Sequence, residues 1–114
     1  MTEARLASSV QVSAFIRLAE IGGDFATVLR KGDSVAGAIL LIGLVRGRNP
    51  VFYERFPSRD GNAQWQMLTQ HETENEAEAT ARWKKRTASD PDLWVVELDV
   101  ASPERLTRLL AAAS

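Results

Sequence analysis

Arginines and aromatic residues alternate along one segment of the chain. Residues 46–65 contain four arginines and four aromatic side chains against two acidic residues, which gives the segment a net charge of +2. Single-stranded nucleic acids are bound by such combinations, because guanidinium groups contact phosphates and rings stack on bases. The candidate contact residues are Arg46, Arg48, Arg55, Arg59 and Tyr53. The alternative is that the aromatic side chains alternate into the core while the arginines lie at hairpin ends.

The titratable residues form no recognisable catalytic constellation. His71 is the only histidine, and at a junction between a strand and a helix it is typical of an exposed loop residue. One histidine and no cysteine provide no His/Cys metal site. Asp90 and Asp92 flank a proline in a turn and lack the ligand spacing of a calcium loop. We predict no catalytic residue, no metal and no cofactor, and an enzyme ranks last among the hypotheses.

Two tryptophans are the other candidates for a functional surface. Trp83 lies on a charged predicted helix and Trp94 on a predicted strand. Tryptophan is over-represented among the residues that dominate protein interfaces, so both are candidates for an interaction surface. The alternative, which we favour, is that the two rings pack in the core.

Eight predicted elements position these residues in the order α-β-β-β-β-α-β-α. The predicted bounds are a helix from about Ser13 to Ile21, strands at Phe25–Arg30, Val35–Val45, Val51–Phe56 and Trp65–Thr69, a helix at about Thr73–Ala88, a strand at Leu93–Leu98 and a final helix from Ser102. Ser13 and Ser102 are predicted N-caps, and Thr73 with Glu76 matches a capping box. We therefore expect an α+β domain with a mainly antiparallel sheet of four to five strands packed with three helices.

The expected strand order is a meander followed by a crossover. Lys31-Gly32-Asp33 has the composition of a tight hairpin connection between the first two strands. The second strand should be central, because both of its faces are apolar, and Gly43 within it suggests a bulge or a close backbone approach. Residues 46–50 are expected to form a turn. The long helix then makes a crossover, which places the fifth strand parallel to the fourth and favours a position beside the first, although one next to the fourth stays open.

Length and composition restrict the class of protein. A chain of 114 residues with 45% hydrophobic and 25% charged residues is typical of one folded domain. We expect residues 1–10 to be loosely ordered and residues 11–114 to form the domain. The formal net charge of -1 provides no overall attraction to nucleic acid or to an anionic membrane. The longest uncharged apolar run, 35–45, is too short to span a bilayer, and the absence of cysteine fits a cytoplasmic location.

Three blocks of the sequence resemble a known family. They are residues 12–17, residues 28–33 followed by residues 36–40, and residues 90–97, which read Asp-Pro-Asp-Leu-Trp-Val-Val-Glu. The chain resembles, from about Val10 to Leu110, the short alphaproteobacterial proteins of domain-of-unknown-function family 1491. The resemblance implies a bacterial, cytoplasmic, stand-alone domain, and it assigns no activity, cofactor or ligand.

Two kinds of function follow from these patterns. The first is a non-enzymatic interaction domain that meets a protein partner, or a second copy of itself, through a sheet edge or the tryptophan-bearing surfaces. The alternative is a nucleic-acid-binding module that uses the arginine and aromatic segment. Neither hypothesis requires a membrane or a metal.

Overall fold

The computed structural model describes residues 7–55, 65–68 and 75–112. Its elements are α1 Ser8–Ile21, β1 Phe25–Arg30, β2 Ile39–Val45, β3 Arg48–Arg55, β4 Gln66–Met67, α2 Glu76–Ser89, β5 Trp94–Val100 and α3 Pro103–Ala112. The strands form one sheet in the order β1-β5-β2-β3-β4, in which only the β2–β5 pair is parallel. The predicted α+β class and element order are confirmed.

The central strand β2 is covered on both faces, as its sequence predicts. Ile39 and Leu41 point to the face on which α1 and α3 pack, here called the α1/α3 face. Leu40 and Ile42 point to the opposite face, here called the α2 face, where they contact the cluster that contains Ala79 of α2. Because alternate residues of a strand face opposite sides, a run of apolar residues can serve two cores at once.

Helix α1 begins five residues earlier than the sequence predicts. It starts at Ser8, so Ser13 is not its N-cap, and the residue that precedes it is Ala7, whose side chain makes no cap hydrogen bond. Ser8 is buried, and its hydroxyl donates to the Gly37 carbonyl oxygen at 2.6 Å. The start of the helix is therefore fixed by the chain segment before β2. The single-domain assignment of residues 11–114 stays a prediction.

The predicted hairpin between β1 and β2 is wrong. Strand β5 lies between them, antiparallel to β1 and parallel to β2. The connection 31–38 passes along the start of β5, where the Asp33 amide donates to the Asp92 carbonyl oxygen at 3.0 Å and the Trp94 amide to that of Ala38 at 2.9 Å. Two parts of the crossover prediction are confirmed. Strand β5 lies beside β1. It also runs parallel to β4, because it is parallel to β2, and both β2 and β4 are antiparallel to β3.

A two-residue turn joins β2 to β3. Arg46 and Gly47 have φ angles of 51° and 72°, the left-handed conformations that tight hairpins require. The expected turn over residues 46–50 is therefore too long, because β3 already begins at Arg48. The prediction for Gly43 is confirmed, since the pairing shifts register between Gly43 and Val45, and a Cβ atom on Gly43 would lie 2.9 Å from Leu106 Cδ2.

Helix α2 is capped by a residue that the sequence analysis did not select. Asn75 is the N-cap, its side chain accepts from the Glu78 amide at 2.9 Å, and Glu78 accepts from the Asn75 amide at 3.3 Å. The proposed capping box of Thr73 with Glu76 is therefore wrong, and Thr73 lies outside the described residues. The helix is joined to the sheet by an ion pair, at 2.6 Å, between Arg86 and the buried carboxylate of Glu54 on β3.

Helix α3 begins as predicted. The Ser102 hydroxyl accepts from the Arg105 amide at 3.4 Å, and Leu106 and Leu109 are buried. The Arg105 guanidinium binds the buried Asp24 carboxylate, with Nη2 2.7 Å from Oδ2. This contact ties α3 to the turn between α1 and β1. Strand β4 is shorter than expected, with two residues, and it forms the sheet edge opposite to β1.

Candidate interaction surface

The described arginines of residues 46–65, which are Arg46, Arg48 and Arg55, do not form one surface. Arg46 lies in the turn before β3 and Arg48 begins that strand, whereas Arg55 ends it, roughly 23 Å from Arg48 at the rise of an extended chain. Arg46 is also engaged, because its Nε donates to the Ala101 carbonyl oxygen at 3.3 Å. Arg59 lies outside the described residues.

The aromatic residues of this segment serve the two cores. Phe52 is buried on the α2 face, with the Arg82 guanidinium 5.5 Å from its ring centroid. Tyr53 is half-buried on the α1/α3 face, where burial raises the pKa of its hydroxyl. Phe56 lies outside the described residues. The described rings are therefore packed rather than displayed for base stacking, and nucleic-acid binding stays a prediction of the sequence.

The two candidate tryptophans occupy different environments. Trp94 is buried at the start of β5, and its indole N–H donates to the Asp33 carbonyl oxygen at 2.7 Å. Trp83 is half-buried on α2 and packs against the cluster that contains Leu40 and Phe52. Trp94 therefore serves packing, and Trp83 contributes part of its ring to the core and part to the surface.

A cleft lies between α1 and the end of β3. Its walls include Phe15, Trp65 and Arg55, with the Phe15 and Trp65 ring centroids 5.8 Å apart and the Arg55 guanidinium 5.8 Å from the Trp65 ring. Burial lowers the pKa of Arg55. The space has room for roughly one water molecule, enough to provide an acceptor for the buried Trp65 indole N–H but too little for an organic ligand.

The remaining titratable residues form no site. Asp90 and Asp92 belong to a local turn, in which the Asp92 amide donates to the Asp90 carboxylate at 3.2 Å. His71 lies outside the described residues. Within the described ranges, no three His, Cys, Asp or Glu side chains are placed to hold a metal ion. No helix in those ranges is both long and apolar enough to cross a membrane.

Exposed apolar side chains lie at β1, as they also do on α1, in the 31–38 connection and on β4. Phe25 is 73% exposed on the strand itself, Val28 is 38% exposed three residues later, and Ile21 is 77% exposed at the end of the preceding helix. Only one edge of β1 is paired, with β5, and no described strand pairs with its other edge. The structure thus places an open backbone edge beside exposed apolar side chains, which together we call the β1 edge.

The sequence analysis missed this surface. It assigned β1 to a hairpin with β2, so the edge position of β1 did not emerge. The predicted start of the second strand at Val35 left only residues 31–34 as the connection, whereas in the structure eight residues separate Arg30 from Ile39. Tight hairpins use two to five residues, and a connection of eight allows another strand to insert between the two that it joins.

Acidic side chains from β5 line the α2 face next to β1. Glu97 pairs in register with Thr27, and Asp99 pairs with Phe25. Burial raises the pKa of Glu97, and the negative charges of Glu76 and Asp99 raise it further. The face that β1 presents on this side is therefore negative near Phe25, whereas Arg30 at the other end of the strand is positive.

This raised pKa predicts that Glu97→Gln stabilises the protein at neutral pH. An acid with a raised pKa in the folded state binds protons more readily when folded, so its ionised form destabilises the fold above that pKa. We expect a gain of a few tenths of a kcal/mol, because the carboxylate is partly exposed and solvent screens its charge. The gain should vanish as the pH falls below the ordinary value of 4.5. Urea unfolding of both proteins at pH 7 and pH 4 measures it, and an equal difference at the two pH values would contradict the assignment.

Comparison with known proteins identifies the family but no activity. A crystal structure of a DUF1491 family protein from Caulobacter crescentus is 35% identical, with a TM-score of 0.70, and the match covers 85% of this chain and 90% of that one. An NMR structure from the same organism is 34% identical, with a TM-score of 0.71 and coverages of 86% and 88%. A solution structure from A. tumefaciens is 29% identical, with a TM-score of 0.71 and coverages of 87% and 89%.

No curated protein matches the chain. The family model described as protein of unknown function DUF1491 matches residues 6–108, which is most of the sequence. The resemblance of residues 12–17, 28–33, 36–40 and 90–97 to this family is therefore confirmed. The chain belongs to the DUF1491 family.

Proposed function

We propose that this protein is a small interaction domain that binds another polypeptide along the β1 edge. The observation that carries the proposal is an edge strand of six residues whose central side chains are uncharged and whose first residue, Phe25, is 73% exposed. An unpaired edge presents backbone N–H and C=O groups in a row, which is a template for an added strand.

The composition of β1 supports this function. Proteins that avoid edge-to-edge association protect their edge strands with lysines, prolines or inward-pointing charges. Strand β1 carries no proline, and its one charge is Arg30 at the last position. A bulge between Val28 and Arg30 leaves 25–28 as the regular part. Among the described residues no strand pairs with this edge along 25–28, where an added strand would pair.

Strand addition would also use the side chains on both faces of β1. Phe25 and Thr27 point to the α2 face and Ala26 and Val28 to the α1/α3 face, as their β5 partners show. In complexes formed by strand addition, backbone hydrogen bonds supply affinity and alternate side chains supply specificity. Phe25 is the expected anchor, because a large aromatic side chain gains most by leaving water.

Site-specific photo-crosslinking in living bacteria tests the proposal. A benzoylphenylalanine in place of Phe25 keeps an aromatic side chain at the β1 edge. The same residue in place of Met67, which is 60% exposed on the opposite edge strand β4, is the matched control. We expect a discrete cross-linked product of higher mass from position 25 and none from position 67. Failure to cross-link at position 25, or equal cross-linking at both positions, would refute a function at this edge.

A further inference from the structure

Strand β1 is complementary to a second copy of itself. If the proposed function at this edge holds, we infer that the polypeptide it binds is another molecule of this protein, paired antiparallel across a twofold axis at Thr27. A twofold axis perpendicular to the sheet joins the two β1 edges, so the sheets of both copies become one continuous sheet. Such an interface is isologous, because each copy contributes the same residues.

The faces of β1 restrict the register of this pairing, and an axis at Thr27 is the choice that places Phe25 opposite Leu29 and Arg30. Residues directly opposite each other in an antiparallel pair lie on the same face of the sheet. With Thr27 opposite its own copy on the α2 face, Ala26 lies opposite Val28 of the second copy on the α1/α3 face. Phe25 then lies opposite the bulged pair of Leu29 and Arg30, which share the α2 face because Leu29 packs in its core and Arg30 pairs in register with Val95.

Charge distribution favours a second copy over an unrelated strand. Arg30 is exposed and makes no ion pair with a described residue, while Asp99 and Glu97 line the α2 face beside Phe25 and Thr27. The twofold axis brings Arg30 of each copy next to Phe25 of the other copy. Asp99 pairs with that Phe25 on its other side, in the same row across the sheet. Each interface therefore gains two contacts between a guanidinium and an aromatic ring, on the face of the sheet that carries the negative charges of Glu97 and Asp99.

The pairing also covers the most exposed aromatic residue of the described chain. Phe25 is 73% exposed, and in this register it meets the aliphatic side chain of Leu29 and the stem of Arg30 from the second copy. The contact is confined to one short strand from each copy, and interfaces of small area are weak and transient. We expect a dimer that dissociates on dilution through the micromolar range.

The absence of cysteine makes a direct test possible, because a single introduced cysteine is the only thiol. In the proposed register the two copies of residue 27 have Cβ atoms about 4.5–5.5 Å apart, close to the separation that a disulfide requires. The matched control is Val35→Cys, an exposed position outside the β1 edge. In the purified full chain under mild oxidation, we expect Thr27→Cys to form a covalent dimer at least tenfold faster than Val35→Cys.

Analytical ultracentrifugation of the cysteine-free protein supplies the second measurement. We expect a species of twice the 12.6 kDa chain mass at high concentration, and an at least tenfold weaker dimer for Phe25→Lys but not for Val10→Lys, which alters another exposed apolar residue. A monomer up to about 200 μM together with equal cross-linking of the two cysteine variants would overturn self-pairing. If position 25 then cross-links to a different protein in cells, the interaction function at the β1 edge still holds. If position 25 gives no cross-linked product, both proposals are refuted.

Discussion

Replacing Arg86 by methionine should lower the free energy of unfolding by about 3 kcal/mol. The Glu54 carboxylate is 5% exposed on the α2 face of β3, and Arg86 of α2 lies 2.6 Å from it. Removal of the guanidinium leaves a buried negative charge without its partner, and an uncompensated buried charge costs far more than the net stabilisation of an intact pair. Urea unfolding followed by tryptophan fluorescence measures the loss.

Two further variants separate the charge effect from the loss of packing. Lys85→Met removes a neighbouring cation from the exposed surface of the same helix and should change stability by less than about 0.5 kcal/mol. The double variant Glu54→Met with Arg86→Met removes both charges and should recover most of the loss, because an apolar pair of similar volume replaces a buried ion pair at little cost. A double variant as unstable as Arg86→Met would show that packing, not charge, accounts for the loss.

The features that sequence patterns predicted correctly are those set by local periodicity. The continuous apolar run of β2 predicted a central strand covered on both faces, and the Ser102-Pro103 pair predicted the start of α3. Both features depend on residues within one turn or one strand. Local sequence is therefore sufficient to place them.

The errors lie where distant residues decide the outcome. Ser8 starts α1 because its hydroxyl reaches Gly37, a partner 29 residues away that no local cap pattern reveals. Strand β5 inserts between β1 and β2 because its apolar residues complete the core on both faces of the sheet, which is a property of the assembled layers. The same insertion makes β1 an edge strand and so creates the candidate surface, which is why the candidate residues Phe25 and Thr27 could not be selected from the sequence.

The arginine and aromatic segment shows the limit of composition as a functional signal. Its net charge is a property of the sequence, but the structure distributes Phe52 and Tyr53 to opposite faces and separates Arg48 from Arg55 by the length of β3. Successive side chains of a strand point to opposite faces of the sheet. The described rings of this segment pack against the two cores, so the composition of the segment does not by itself indicate a surface for single strands.

Replacing Gly37 by alanine should destabilise the protein by about 3 kcal/mol or more, the upper range for adding an atom to a packed site. A Cβ atom on Gly37 would overlap the Asp92 carbonyl oxygen and lie 3.1 Å from the backbone nitrogen and oxygen of Asp33. Neither group can retreat freely, because the Asp33 amide donates to that same Asp92 oxygen at 3.0 Å. Glycine is needed at position 37 because the 31–38 connection approaches the backbone of Asp92 closely. This close approach results from the insertion of β5 between β1 and β2.

Gly23→Ala is the matched control for this prediction. Gly23 has a φ angle of 85°, so alanine there is strained, but no atom lies within 4 Å of the added Cβ. The expected cost is about 1–2 kcal/mol, the penalty of a left-handed conformation for a residue with a side chain. Thermal unfolding of the two variants compares a steric clash with conformational strain. If Gly23→Ala proved the more damaging change, it would contradict the explanation that glycine is required at position 37 by the packing of the 31–38 connection against the start of β5.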